Sequence, residues 1–151
     1  MFDSLNISAS ALTAQRLRMD VTSANIANAE TTRGKIVDGQ WEPYRRKMVV
    51  MEPSTTSFNQ IFQTEMQKQV QAGTNANGVK VTKIVDDQTP FKMVYDPTHP
   101  DANAEGYVQM PNVDLSKEMV DMLSASRAYE ANVTSFNTGK SIMLKALEIG
   151  R

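Results

Sequence analysis

At 151 residues, 40% hydrophobic and 22% charged, the chain is long enough for one ordinary domain and too apolar to be disordered throughout. Charge is balanced along its length: residues 1–30 carry two basic and three acidic residues, 31–112 nine and nine, and 113–151 five and five. That excludes the basic footprint of a nucleic-acid binder and makes an anionic membrane a poor partner. The absence of Cys excludes disulfides, thiolate metal sites and Cys nucleophiles.

The opening MFDSLNIS has neither a basic n-region nor an apolar h-region, so no cleaved signal peptide of the usual kind is expected. The longest unbroken apolar run, Met48 to Met51, is too short to cross a bilayer. A first helix is expected from Ser4 to Asn28, rich in Ala, Leu, Met, Gln and Arg. Leu5, Leu12, Met19 and Ile26 form one heptad row, and Ile7, Ala14, Leu17, Val21 and Ala24 form a second stripe on nearly the opposite side. Two apolar faces so near a chain end point to packing between subunits, with burial in a private core as the alternative.

From Arg33 to Gln40 the chain is polar, contains Gly34 and Gly39, and reads as a loop. Trp41 to Met51 is more apolar, and Pro43 to Lys47 reads as a solvated approach to a short strand rather than a phosphate-binding patch. Glu52 to Gly78 is the least patterned stretch. Phe58, Ile61, Phe62, Glu65 and Met66 fit a short amphipathic helix, and Gln71 to Gly78 fits a flexible turn. Gly73 to Lys80 has a superficial likeness to a phosphate loop, but Val79 interrupts it and no strand-to-helix transition surrounds it. Val79, Val81 and Lys83 alternate and lead into Ile84 and Val85. Pro90 to Tyr95 and Gly106 to Met110 add two more short strands, which together predict a small antiparallel β unit. Between those two, Asp96, His99 and Asp101 could ligate a metal, yet Pro97, Pro100 and the flanking Asp residues describe a rigid turn. The turn is the reading adopted, and no metal or cofactor site is assigned.

The last forty or so residues, from Pro111, carry the strongest periodicity. Leu115, Met119, Met122, Ser126, Tyr129, Val133, Phe136, Lys140, Met143 and Leu147 recur in alternating steps of four and three, a heptad seam on one long helix. Asn112 can cap its start and Asp114 sits in its first turn. A helix of about 37 residues would be roughly 55 Å long. A second stripe, Ala125, Ala128, Asn132, Ser135, Gly139, Ile142, Ala146 and Ile149, is mostly small and would admit another backbone closely. The plain alternative is a helix whose Ala and Ser residues face water. We expect the large seam through Met119, Met122, Val133 and Phe136 to pack on the first helix, and the small stripe through Ala128, Ser135 and Gly139 to face a neighbouring subunit.

Several stretches carry a resemblance. Ile7 to Met19 followed by Ser23 to Thr32, with Asn25 and Asn28 at its two Asn positions, is similar to the N-terminal motif of bacterial flagellar rod and hook axial proteins. Asn25, Asn28, Thr31 and Thr32 suit the exit from the first helix because Asn and Thr side chains bond nearby backbone. Glu118 to Asn132 and the ending Lys145 to Gly150 resemble the basal-body rod proteins, and Pro43 to Met51, Tyr95 to Asp101 and Pro111 to Asp114 resemble the proximal-rod subfamily, for which 52–78 reads as long. The resemblance implies an α+β chain whose long N- and C-terminal helices form a coiled-coil-like assembly domain, residues 1–30 plus 113–151, around a β-rich and looped middle, 31–112.

It implies further a structural subunit of the proximal rod that transmits torque from the membrane ring to the distal rod and hook. Its partners would be copies of itself, other rod proteins of proximal and distal type, and membrane-ring and rod-adaptor proteins. Export through the flagellar type III apparatus, without a cleaved signal, would deliver it to the periplasmic rod region of the basal body. The assembly residues implied are Leu5, Leu12, Met19, Asn25, Ile26 and Asn28 on the first helix. On the last they are Met119, Met122, Ala128, Tyr129, Val133, Phe136, Gly139, Met143 and Leu147. An enzyme is disfavoured independently, since one His in a Pro-rich turn and no Cys leave no nucleophile and base at recognisable spacing. No small-molecule substrate, cofactor or nucleic acid is expected. A soluble helical adaptor or chaperone for flagellar or type III export is the rival, separable by whether polymer forms as concentration rises.

Overall fold

A computed structural model describes residues 2–37, 39–54 and 78–149, apart from the side chains of Phe2 and Ile149. The fold is α+β. Helix α1 (Phe2–Ala27) is followed by strands β1 (Lys35–Val37), β2 (Gln40–Glu42), β3 (Lys47–Pro53), β4 (Val79–Asp86), β5 (Lys92–Tyr95) and β6 (Tyr107–Met110), and helix α2 (Leu115–Ile149) closes the described chain. The short helix expected from Phe58 to Met66 and most of the turn expected from Gln71 to Gly78 lie outside the described residues.

Both helices form where the periodicity predicts them, and no Pro falls inside either. At 26 and 35 residues they are roughly 39 and 52 Å long. The exit from α1 is local, as its sequence suggests: the Asn28 amide donates to the Ala24 carbonyl at 2.9 Å and accepts from the Thr31 hydroxyl at 3.3 Å. The start of α2 departs from expectation. Asp114 is the cap, its Oδ1 accepting from the Ser116 and Lys117 amides at 3.0 and 3.4 Å while its carbonyl takes the Glu118 amide at 2.9 Å. Asn112 points instead toward 87–89, where its Nδ2 donates to the Asp87 and Thr89 carbonyls and the Thr89 hydroxyl, while its Oδ1 accepts from the Arg46 amide.

The strands form three two-stranded ladders, β1–β2, β3–β4 and β5–β6. β1 and β2 are antiparallel with Ile36 opposite Trp41, and β5 and β6 are antiparallel with Val94 opposite Val108. The first hairpin occupies the stretch expected to be a loop; its three-residue strands are nearly all exposed, so they carry no alternation to read. Val108, 2% exposed, and Val113, 5% exposed, anchor the later ladder.

The chain divides into two compact units. Among the described residues, one takes α1 up to Arg16, the 51–54 and 78–82 segments and α2 from Arg127; the other takes 17–50 and 83–126. In the first, Ala14 is buried and Leu5 lies against Gly139. In the second, Val21, Thr22 and Asn25 of α1 and Glu118 and Ala125 of α2 are buried, and Arg18–Asp121 and Asn25–Glu118 pairs show the helices running antiparallel there.

This pairing corrects the expected division of α2. A Cβ built on Gly139 would meet Leu5 Cδ2 at 3.2 Å, and Ala125 is wholly buried. The small row therefore faces the chain's own first helix, while Met119 of the large seam is 55% exposed and Leu147 is 72% exposed. Each expected stripe consists of two heptad rows, and the inward face takes one row from each: Ala125, Asn132 and Gly139 from the small stripe, Met122, Tyr129, Phe136 and Met143 from the large one. Small residues let the helix backbones approach, and the neighbouring large row covers the seam they leave.

Candidate assembly surface

Asn25 is 1% exposed and uses all of its hydrogen-bonding capacity. Its Nδ2 donates to the Lys47 carbonyl and to Glu118 Oε2, both at 2.9 Å. Its Oδ1 accepts from the Lys47 amide at 2.9 Å and the Tyr44 hydroxyl at 3.0 Å. The side chain thus does more than ease the helix exit, which was the role expected of it: it pins the start of β3 to α1 and reaches α2.

Glu118, also 1% exposed, accepts from Asn25 on one oxygen and from Arg46 Nε on the other at 2.6 Å. Arg46 reaches Asp87 at 3.5 Å and Asp121 at 3.4 Å, and its amide donates to Asn112 Oδ1 at 2.8 Å. Asp121 also pairs with Arg18 at 3.3 Å. Burial works against the Arg46 charge, but Glu118 and Asp87 outweigh it and hold the guanidinium above its ordinary pKa. The Thr89 backbone amide chiefly, with its hydroxyl and Arg46, holds the Asp87 carboxyl below the usual range. Burial pushes the Tyr44 phenol up, with Asp86 and Glu118 adding to it. Every charge in this node faces an opposite one, an arrangement that braces elements rather than one that moves protons.

The 43–47 segment is consequently not the solvated strand approach expected of it. Arg45 bonds Glu42 at 3.0 Å and lies 4.4 Å over the Phe91 ring, while Arg46 is drawn into the node. The physical reason is distance in sequence: the acids that claim Arg46 lie far along the chain and leave no local signal.

The 95–101 segment forms the expected turn. The Thr98 amide and hydroxyl donate to Asp96 Oδ1, and the Asp101 amide donates to His99 Nδ1 at 3.1 Å. Asp101 accepts from the Thr32 hydroxyl at 2.8 Å and from Arg33, and the Arg33 hydrogen bond, then Thr32, holds its carboxyl below the ordinary value. Among the described residues no cluster of three His or acidic side chains is disposed to hold a metal.

The assembly residues read from the sequence fall into three groups by burial. Leu5, Leu12, Met19 and Ile26 of α1 and Asn28 just beyond its end are half-buried, as are Met122, Ala128, Tyr129, Val133, Phe136, Gly139 and Met143 of α2; Asn25 is buried, and Met119 and Leu147 are exposed. The structure adds exposed apolar side chains that the heptad rows omitted, Val120 and Leu123 in one unit and Leu144 in the other, and leaves Ile142 of the small stripe exposed as well. The three-residue step from Val120 to Leu123 was their only sequence signal. Glu118 and Arg46 had none, although Glu118 begins the small heptad row that continues through Ala125, Asn132 and Gly139. No helix among the described residues is long and apolar enough to cross a membrane.

Residues 5–34 match the family described as flagella basal body rod protein, and residues 104–149 match the C-terminal region of the flagellar basal body rod FlgEFG proteins. The flagellar basal-body rod protein FlgC of Bacillus subtilis is 60% identical over 99% of this chain and 98% of its own length. The proteins of that name in Borreliella burgdorferi and Escherichia coli O157:H7 are each 44% identical, over 99% and 97% of this chain and 97% and 95% of their own. With matches of this identity along nearly its whole length, the chain belongs to the FlgC family of flagellar basal-body rod proteins.

Proposed function

We propose that this chain is a structural, non-enzymatic subunit of the proximal rod. In this reading residues 1–30 and 113–151 form a discontinuous, coiled-coil-like assembly domain, and 31–112 lies outside it as a spacer or lateral contact. Torque passes from the membrane ring to the distal rod and hook through helix packing. The partners are copies of the chain, proximal- and distal-rod proteins, and ring and adaptor proteins. Passage through the flagellar type III apparatus without a cleaved signal brings it to the periplasmic part of the basal body.

The observation that carries this reading is the apolar surface α2 leaves uncovered. Val120 is 67% exposed, Leu123 62% and Leu147 72%, on a helix that already packs another face within the chain. Large exposed apolar side chains grouped along one element mark surfaces meant for a partner. An adaptor with a single binding groove would need only one such stretch, whereas here uncovered side chains occur near both ends of a helix of 35 residues.

The test is complementation of a strain lacking the protein with Val120→Asp and Leu123→Asp, with secreted subunit and completed rods measured separately. Secretion at the normal level with no completed rods is the expected result. Normal rods from the double variant would remove the surface from assembly and overturn the reading.

A further inference from the structure

A cleft of about 300 Å³ opens between β2, the turn at 101–103 and β6, at the lower end of the range that holds small ligands. Its walls are Trp41, Pro43 and Tyr107 with the amide side chains of Gln40, Asn103 and Gln109. Trp41 is 55% and Tyr107 40% exposed, so both rings have uncovered surface. The cleft is also held in shape. Tyr107 meets Tyr95 edge-to-face at 5.3 Å and 66°. Gly106 has φ +81, and a Cβ there would lie 2.9 Å from the Tyr95 ring, so this close turn requires Gly. Asn103 Oδ1 accepts from the Glu105 and Tyr107 amides at 3.1 and 2.8 Å.

The remaining capacity of the walls defines the ligand. The one acid, Asp101, is already matched by Arg33, so nothing selects a charged group. The Gln40 and Gln109 amides, both exposed, have no hydrogen-bond partner among the described residues and offer donors and acceptors together. Aromatic faces suit C–H surfaces, and paired amides suit vicinal hydroxyl and acetamido groups. The geometry points to a site for a neutral saccharide chain bearing N-acetyl groups, seated on Trp41 and Tyr107 and bonded by Gln40 and Gln109. A Pro-rich peptide would use the aromatic walls but would leave most of this amide lining idle.

Trp41 is the only Trp in the chain, so its fluorescence reports on the cleft alone. Titration of the full chain with chito-oligosaccharide should give a saturable shift in Trp41 emission with a Kd on the order of 1 mM. Gln109→Ala and Gln40→Ala, at exposed positions and checked for folding by circular dichroism, should each weaken binding about tenfold, equivalent to about 1.4 kcal/mol. Absence of a saturable shift overturns the proposal. So does binding that survives both Gln substitutions, or saturation by oligoproline with no response to the saccharide.

Discussion

Replacing Arg46 by Met tests the polar node directly, because Met keeps an unbranched stem as far as the position of Nε and removes the guanidinium charge. The Glu118 arm, 2.6 Å from Nε with Glu118 only 1% exposed, belongs to the class of buried pairs whose disruption by loss of one partner costs about 3–5 kcal/mol. The Asp87 and Asp121 arms are longer, at 3.5 and 3.4 Å, and Asp121 is 31% exposed, so each adds at most about 1 kcal/mol. For a chain of this size a loss of about 4 kcal/mol lowers the melting temperature by roughly 8–16 °C. Thermal unfolding followed by far-ultraviolet circular dichroism reads this directly. Glu118→Leu added to Arg46→Met should recover much of the loss, since it removes the carboxylate left without its cation. A single variant within about 1 kcal/mol of wild type, or a double variant no more stable than the single, would refute the assignment of Arg46 and Glu118 as the brace.

Gly139→Leu should destabilise the isolated chain itself, by about 1–3 kcal/mol through overpacking against Leu5; an unchanged urea midpoint would return the small row to an external partner. Asp114→Ala removes the cap of α2 and should cost about 1 kcal/mol, seen as faster amide exchange in the first turn of that helix. Acid should weaken the fold in a defined window. Asp87 and Asp101 are held below their ordinary values, so their contribution is complete above the unfolded carboxyl pKa of about 3.9 and is lost as pH falls through the lower folded values. Asp87→Asn and Asp101→Asn should each flatten that acid limb of stability, and an unaltered slope would show that these pairs do not control it.

What the sequence disclosed depended on how far apart the interacting residues lie. Both helices were legible because their periodicity is written over 26 and 35 consecutive residues. β4, β5 and β6 were legible from β-branched and aromatic runs. The β1–β2 hairpin was not, since Ile36, Val37 and Trp41 are all exposed and their pairing buries little. The inward face of α2 was ambiguous for a different reason: its small and large rows adjoin, and only contact with α1 at Leu5, Arg18 and Asn25 decides between them. Arg46 lay beyond reach because Glu118 is 72 residues away, and three basic residues in a row look solvated until their partners are known.

The separation of the helices along the chain also sets the order in which the molecule can form. Asn25 and Glu118 are 93 residues apart, and Arg18 and Asp121 are 103 apart, whereas β5 and β6 pair across a short turn. Closing a loop near 90 residues rather than near 12 costs about 2 kcal/mol more in chain entropy. The hairpins can therefore close early, while α1 and α2 must each wait for the other, and contacts this distant slow folding. Mixing experiments should find the hairpin signal ahead of the helix pairing, and helix pairing that forms first would refute this order.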